Sequence, residues 1–172
     1  LEFKAKKVRD NLERIGGFDA TLLERVTEPI VGMDEPFHYR NKAQFPCGTD
    51  KDGQPICGFY AGRTHHIIAN TDCALGVEIN QEILEQILAF MKEYHVQAYD
   101  EKTGRGLLRH VLLRYGFATK EIMVCLVVNG KKIPHAEELV HRLAQIEGMT
   151  SITLSPNTKR TNVIMGDSFE VL

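Results

Sequence analysis

The sequence predicts an α+β fold: an antiparallel or mixed sheet with ferredoxin-like βαββαβ order, preceded by a β-hairpin and an N-terminal helix. Three observations carry this. Ile79, Ile83, Ile87 and Met91 recur at helical spacing, while Glu78, Glu82, Glu85 and Glu93 cover the outside. "LLRHVLLRYG" (107–116) and "EIMVCLVVNG" (121–130) are strand-like runs so close together that an antiparallel hairpin is expected. The second run is apolar on both faces, which places it centrally in a sheet covered on both sides.

The other elements follow in order. Residues 2–15 read as a helix, with Ala5, Val8, Leu12 and Ile15 on one stripe and Lys4, Lys6, Lys7, Arg9 and Arg14 on the other faces. Gly16-Gly17 ends it, because glycine enters the left-handed cap conformation without a Cβ clash. Residues 18–36 have no clear period and two prolines, and read as a linker with a short extended piece near Ile30-Val31. A strand is expected over about His38 to Phe45, then a loop whose Asp52-Gly53 is a turn signal, then a returning strand in "ICGFYAG". "HHIIA" reads as a third strand and 77–95 as the long helix. Residues 135–147 form a helix through Leu139, Val140, Leu143 and Ile146, with Pro134 at its start. "TSITLSPN" is a strand, and "NVIMGDSFEVL" begins one more. The organisation expected is a basic helix (1–17), a linker (18–36) and one domain (37–172).

Composition narrows the function classes. A chain of 172 residues with 43% apolar content can bury a core. A formal charge of −2 argues against a uniformly basic coat but permits a local basic patch. The four cysteines show no C-x-x-C spacing, which favours reduced thiols and a cytoplasmic setting over a secreted disulfide scaffold. The longest apolar run, Ile122 to Val128, is too short to span a bilayer, so no membrane partner is expected. The start lacks Met and an apolar leader segment, and the end lacks a polar tail; both ends are expected to be cut from a longer protein.

No complete active site is visible. G-x-G-x-x-G, the P-loop, H-E-x-x-H and G-x-S-x-G are all missing, and "TGRG" (103–106) reads as a turn. Cys47, Cys57, Cys73, His65 and His66 fall in the hairpin region and could converge on zinc, although their spacing matches no ribbon or finger. Equally, Cys47 and Cys57 could be small apolar groups at the ends of the hairpin loop, and Cys125 sits in an apolar strand as a core residue. Nucleic-acid binding is the third possibility. Arg40, Lys42, Arg63, His65 and His66 lie on adjacent strands with Tyr39, Phe45, Phe59 and Tyr60 between them, and Arg105, Arg109, His110 and Arg114 form a second basic group. Strict alternation sets Arg109 on the opposite face from His110 and Arg114. A solvated sheet face would account for the same charges.

Five ordered blocks, "LEFKAKKVRDNLERIGGF", "HYRNKAQFPCG", "GFYAGRTHHIIANTDC", "YDEKTGRGLLRHVLLR" and "NVIMGD", resemble the S-adenosylmethionine-dependent RNA (uracil-5-)-methyltransferases of the bacterial 23S ribosomal RNA type, over essentially the whole chain. The resemblance implies that this is the central RNA-recognition domain. A TRAM domain would precede it and a Rossmann-like methyltransferase domain would follow, both absent here. It implies 23S ribosomal RNA as partner, S-adenosylmethionine as cofactor of the whole enzyme, and a monomer. Tyr39, Arg40, Asn41, Lys42 and Ala43 match the family's "YRNKA" block. Arg40 and Lys42 would then meet RNA phosphate or base, and Asn41 a loop backbone or base edge, unless Asn41 only caps the start of its strand. With Tyr39, Arg63 and Arg109 they make up the candidate RNA-binding set. In members with a [4Fe–4S] cluster, Cys73 of "HHIIANTDC" takes the place of the fourth ligand, and Cys47 and Cys57 leave the ligand set. Four thiolates normally hold such a cluster, so none is expected on this stretch alone. The catalytic residues of the family match nothing here, and the stretch by itself is expected to be inactive. The alternative is a spacer or protein-interaction domain without RNA contact.

Overall fold

The computed structural model describes all 172 residues, which divide into two compact units, Leu1–Pro36 and Phe37–Leu172. In the first unit, α1 (Glu2–Arg14) is the expected helix, held on its polar side by a Lys6–Asp10 ion pair of 2.7 Å. A second helix, α2 (Ala20–Val26), lies inside the stretch expected to be a linker. Asp19 starts it: its carboxylate accepts the Leu22 amide at 3.1 Å, satisfying a donor that the first helical turn leaves free. Leu23 is the buried residue of this helix. The Asp19 cap ahead of Leu22, Leu23 and Val26 is a seven-residue signal, too short to show a period.

The second unit is built on one seven-stranded sheet with two helices. Its elements are β1 (Lys42–Thr49), β2 (Pro55–Tyr60), β3 (Ile67–Ala69), α3 (Ile79–Glu93), β4 (Leu108–Tyr115), β5 (Ile122–Val128), α4 (Ala136–Ala144), β6 (Met149–Pro156) and β7 (Glu170–Val171). The strand order is β3-β2-β1-β4-β5-β6-β7; β5 and β6 run parallel and the other neighbours antiparallel. The α+β class and the mixed sheet agree with expectation, and the order of elements along the chain from β3 onward is β-α-β-β-α-β. The spatial order differs from the ferredoxin-like arrangement. There the first strand of the run lies inside the sheet, whereas β3 here occupies an edge. The reason is the hairpin: β3 pairs with β2, and β1 has already taken the place beside β4.

β1 begins four residues later than expected and continues through Pro46 and Cys47. A proline is tolerated because the strand changes partners there: Lys42 to Pro46 pair with β4, and Cys47 to Thr49 with β2. The connection to β2 is tied by Asp50, whose carboxylate accepts the amides of Asp52 and Gln54 at 2.9 and 2.8 Å, with Gly53 at φ 78°.

Ile83, Leu84, Ile87, Phe90 and Met91 of α3, with Leu139 and Leu143 of α4, bury their stripe on one face of the sheet. Phe45, Leu108, Val111, Leu113, Val124, Leu126 and Leu154 meet them there. Cross-strand rows define the other face: Lys42, Arg114, Met123 and Ser151; then Gln44, Leu112, Cys125 and Thr153; then Pro46, His110, Val127 and Ser155. The first row is the open end, with Lys42 and Arg114 exposed. The last is closed, because residues 157–168 fold over it: Ser155 Oγ accepts the Gly166 amide at 2.9 Å, and Asn157 Nδ2 donates to the carbonyls of Val163 and Ile164. "NVIMGD" was expected in a strand. It is irregular because its carbonyls answer the Asn157 side chain, and only Glu170–Val171 pair as β7.

Gly58 marks the closest approach within the hairpin region. A Cβ there would stand 1.9 Å from the Ile68 carbonyl oxygen and 2.7 Å from the Asn70 amide nitrogen, both main-chain atoms of the paired edge. Gly58→Ala must push β3 away from β2, and urea unfolding should show a loss of about 1–3 kcal/mol. Unchanged stability would show that β3 is not held in this register.

Candidate nucleic-acid interface

The segment 38–42 is laid down by main-chain bonds to the loop before α3. The His38 amide donates to Ala74 O and the Arg40 amide to Leu75 O, each at 2.9 Å, and the His38 ring meets Gly76 O at 2.7 Å through Nδ1. Asn41 O then accepts the Tyr115 amide at 2.8 Å, and β1 begins at Lys42. His38 sits at φ 52°, which turns the chain into this path. The backbone is therefore fixed, yet the side chains of Tyr39, Arg40, Asn41 and Lys42 are exposed and form no hydrogen bond or ion pair. Asn41 works through its main-chain oxygen, and its amide side chain caps nothing.

Lys42 lies directly opposite Arg114 on β4, and both are exposed. Like charges facing each other across strands are unfavourable, by a few tenths to about 1 kcal/mol. No carboxylate forms an ion pair with either. Lys120, on the β4–β5 turn, lies 5.9 Å from the Tyr115 ring centre. Arg40, Lys42 and Arg114 thus offer positive charge on a fixed main chain, which suits a polyanion. The sequence set Arg114 in a separate group; the β1–β4 register joins it to Lys42.

The other candidates lie elsewhere. Arg63 is exposed on the β2–β3 turn at φ 61°, and no hydrogen bond or ion pair joins it to residues 38–42. Arg109 is buried, 5% exposed. Its guanidinium donates to Asn157 O at 2.7 Å and Lys159 O at 2.9 Å and lies 4.5 Å from the Tyr99 ring centre. It is an internal clamp. The bulge between Leu108 and His110 breaks the strict alternation that set Arg109 on the face opposite His110 and Arg114. Phe45 is wholly buried against the half-buried Phe59, ring centres 5.2 Å apart, so of the four interleaved aromatics Tyr39 and Tyr60 are the exposed ones.

Tyr60 belongs to a second polar group. Its hydroxyl donates to Glu101 at 3.4 Å, Glu101 also takes the His65 ring, and the Tyr60 and His65 rings stand 5.2 Å apart. Burial, then the Glu101 charge, push the Tyr60 phenol up to about 12. His110 is buried beneath, 6.5 Å from Tyr60 between ring centres, with Nδ1 unpartnered. Burial and then the Arg109 charge pull it down to about 4, so it stays neutral near pH 7.

The zinc arrangement does not form: no three His, Cys, Asp or Glu side chains come close enough to hold a metal ion. Cys47 and Cys57 are cross-strand partners with sulfurs 2.8 Å apart in the core, where burial pushes the Cys47 thiol well up. Cys73 is half-buried on the loop that carries Ala74, Leu75 and Gly76, so the structure sets it beside the 38–42 segment. One thiol cannot hold a four-iron cluster, and the residues of this chain do not by themselves fit that group.

No family model matches the chain. It is 43% identical, over its whole length, to an "uncharacterized RNA methyltransferase" of Halalkalibacterium halodurans, and 40% identical, again over its whole length, to one of Clostridium tetani. It covers 37% and 36% of those proteins, so it spans little more than a third of the curated relatives it matches. Among solved structures it is similar to the Pyrococcus abyssi tRNA (uracil-54, C5)-methyltransferase in complex with S-adenosyl-L-homocysteine. The TM-score is 0.71 at 23% identity, covering 98% of this chain and 38% of that one. That likeness shows a shared fold.

Two outcomes follow from the geometry. A maleimide added to the folded chain should label one thiol quickly, and Cys73→Ser should abolish that fast phase, because Cys47, Cys57 and Cys125 are 3%, 1% and 1% exposed. A fast phase surviving in the variant would place another cysteine at the surface. His110 binds a proton less readily folded than unfolded, so its contribution to stability is complete above about pH 6.5 and is lost as pH falls toward 4. Unfolding free energies over that range should fall by up to about 3 kcal/mol from this group. His110→Leu should flatten that limb, and an unaltered profile would refute a buried neutral imidazole.

Proposed function

We propose that residues 37–172 are the RNA-gripping domain of an S-adenosylmethionine-dependent RNA (uracil-5-)-methyltransferase. The observation that carries this is the unpaired cationic group of Arg40, Lys42 and Arg114 on rigid main chain, with Lys42 facing Arg114 and no acid between them. The names of the relatives supply the RNA substrate class, and the shared fold with a tRNA uracil-C5 enzyme is consistent with the target base. The finer reading is 23S ribosomal RNA as substrate and a monomer, resting on the resemblance of the five sequence blocks, and a cytoplasmic setting, resting on the reduced-thiol pattern of the four cysteines.

In the whole protein, a cysteine thiolate would add to C6 of the target uracil and make C5 nucleophilic, and loss of the C5 proton would release the thiolate after methyl transfer. S-adenosylmethionine supplies the methyl group. This chain's residues hold the RNA. Arg40 and Lys42 neutralise phosphates, Tyr39 offers an exposed ring for a base, and Asn41 presents a free amide to a base edge. Taking a uracil out of its stack costs a few kcal/mol, and a grip on the surrounding backbone offsets it. Cys73, on the loop that orders this segment, is assigned as a cluster ligand only if cysteines elsewhere in the protein complete the set. Arg109 drops out of the contact set as a clamp, and Arg114 takes its place.

In the intact protein, Arg40→Ala with Lys42→Ala should raise the KM for RNA about tenfold or more and leave the KM for S-adenosylmethionine unchanged. An unchanged RNA KM with altered domain packing would favour a spacer role without RNA contact.

A further inference from the structure

Another basic surface lies at the far end of β4 from Lys42 and Arg114. Eight residues of strand, about 25 Å, separate the two ends. Three loops meet there: 100–107 before β4, 129–135 after β5, and 157–163 after β6. They carry Lys102, Arg105, Lys131, Lys132, Lys159 and Arg160, all exposed. Two acids lie on these loops, Asp100 and Glu101, and a third, Asp167, follows the last of them. Asp100 accepts the Lys102 amide and the Thr103 hydroxyl, Glu101 takes His65, and Asp167 holds Lys159 at 2.6 Å. Lys102, Arg105, Lys131, Lys132 and Arg160 make no ion pair.

The loops are locked to one another. Asn129 Nδ2 donates to the carbonyls of Gly104 and Gly106 at 3.3 and 3.0 Å, and its amide to Leu107 O at 2.7 Å. Asn157 accepts the Lys159 amide through Oδ1 while its carbonyl receives Arg109. Gly104, at φ 71°, packs so closely on Arg160 that a Cβ there would stand 1.9 Å from the guanidinium. "TGRG" is thus more than a turn: its glycine lets a cation from another loop lie on the main chain. A chain of net charge −2 has gathered cations on a prepared edge.

We propose that Lys102, Arg105, Lys131, Lys132 and Arg160 form a second phosphate-binding surface, so that the RNA backbone is held at both ends of β4. This rests on the reading of the chain as an RNA-gripping domain. An acidic protein segment would be drawn by the same charges. RNA is favoured because five cations without an ion pair, spread over three loops, match a line of phosphates better than one buried anchor.

The test uses the full chain, a fluorescein-labelled RNA hairpin of roughly 30 nucleotides, and anisotropy titrations between about 50 and 200 mM salt. Lys131→Ala/Lys132→Ala/Arg160→Ala should weaken binding about tenfold or more and lower the slope of log affinity against log salt by about 2–3. Wild-type binding by this variant, alongside loss of binding in Arg40→Ala/Lys42→Ala, would overturn the second surface and leave the first intact. Absence of RNA binding by the unaltered chain would overturn both. A polyglutamate peptide bound as tightly as the RNA through the same three residues would assign the surface to an acidic protein instead.

Discussion

The buried Arg109 clamp is the interaction on which the second face of the sheet depends. A guanidinium 5% exposed is expensive to remove from water, and it persists only where its donors are met. Here two main-chain carbonyls meet one terminal nitrogen, and the Tyr99 ring covers the cation. Nε remains without a partner, so the site is tied down but not saturated. The bulge at Leu108/His110 makes this possible by turning Arg109 away from the ordinary alternation. Its carbonyl partners belong to Asn157 and Lys159, and Asn157 in turn organises residues 163–164. One bulge therefore decides where the chain after β6 runs, and with it which half of the polar face is closed.

The consequence is a sheet with two unlike ends. Near Pro46, His110, Val127 and Ser155 the face is sealed, and His110 is neutral because its charge would be buried beside Arg109. Near Lys42 and Arg114 the face is open, and two cations oppose each other without an acid. A protein selected for stability alone would place a glutamate in one of those positions, since opposite charges across a strand pair are favourable. Electrostatic repulsion held in place by main-chain bonds is relieved when an anion binds, and on the proposed reading the strength of that contact falls with salt because it releases counterions.

Much of the fold was legible because it lies in periods. The α3 stripe and the doubly apolar β5 were read from residue spacing, and both sit where that spacing puts them. What was not legible depended on partners distant in sequence. The β1 start moved because Arg40 pairs with the loop at Leu75 and Gly76 before the ladder with β4 begins. The edge position of β3 follows from hairpin pairing, which element order does not encode. α2 was hidden by its length. At the site, the run Tyr39 to Lys42 could be picked out because four exposed polar or amphipathic groups in sequence serve no core. The burial of Arg109 could not be read, since a one-residue bulge shifts its direction and leaves no mark in composition.

Placing cations at both ends of one strand has a mechanical meaning. β4 is central, bonded to β1 on one side and β5 on the other, so its ends keep their separation. On the proposed reading, two phosphate contacts on such a strut would resist rotation of the RNA as well as translation, which one cluster cannot do. Orientation of this kind carries no sequence information, because phosphates are common to every nucleotide. Under the proposed function, choice of a particular base would then come from base contacts or RNA shape. In the proposed 38–42 grip the groups offered to a base are Tyr39 and Asn41, side chains left free on a main chain that Ala74, Leu75 and Tyr115 hold still. The proposed division is physical: long cations would set where the backbone lies, and short groups between them would meet what the backbone carries.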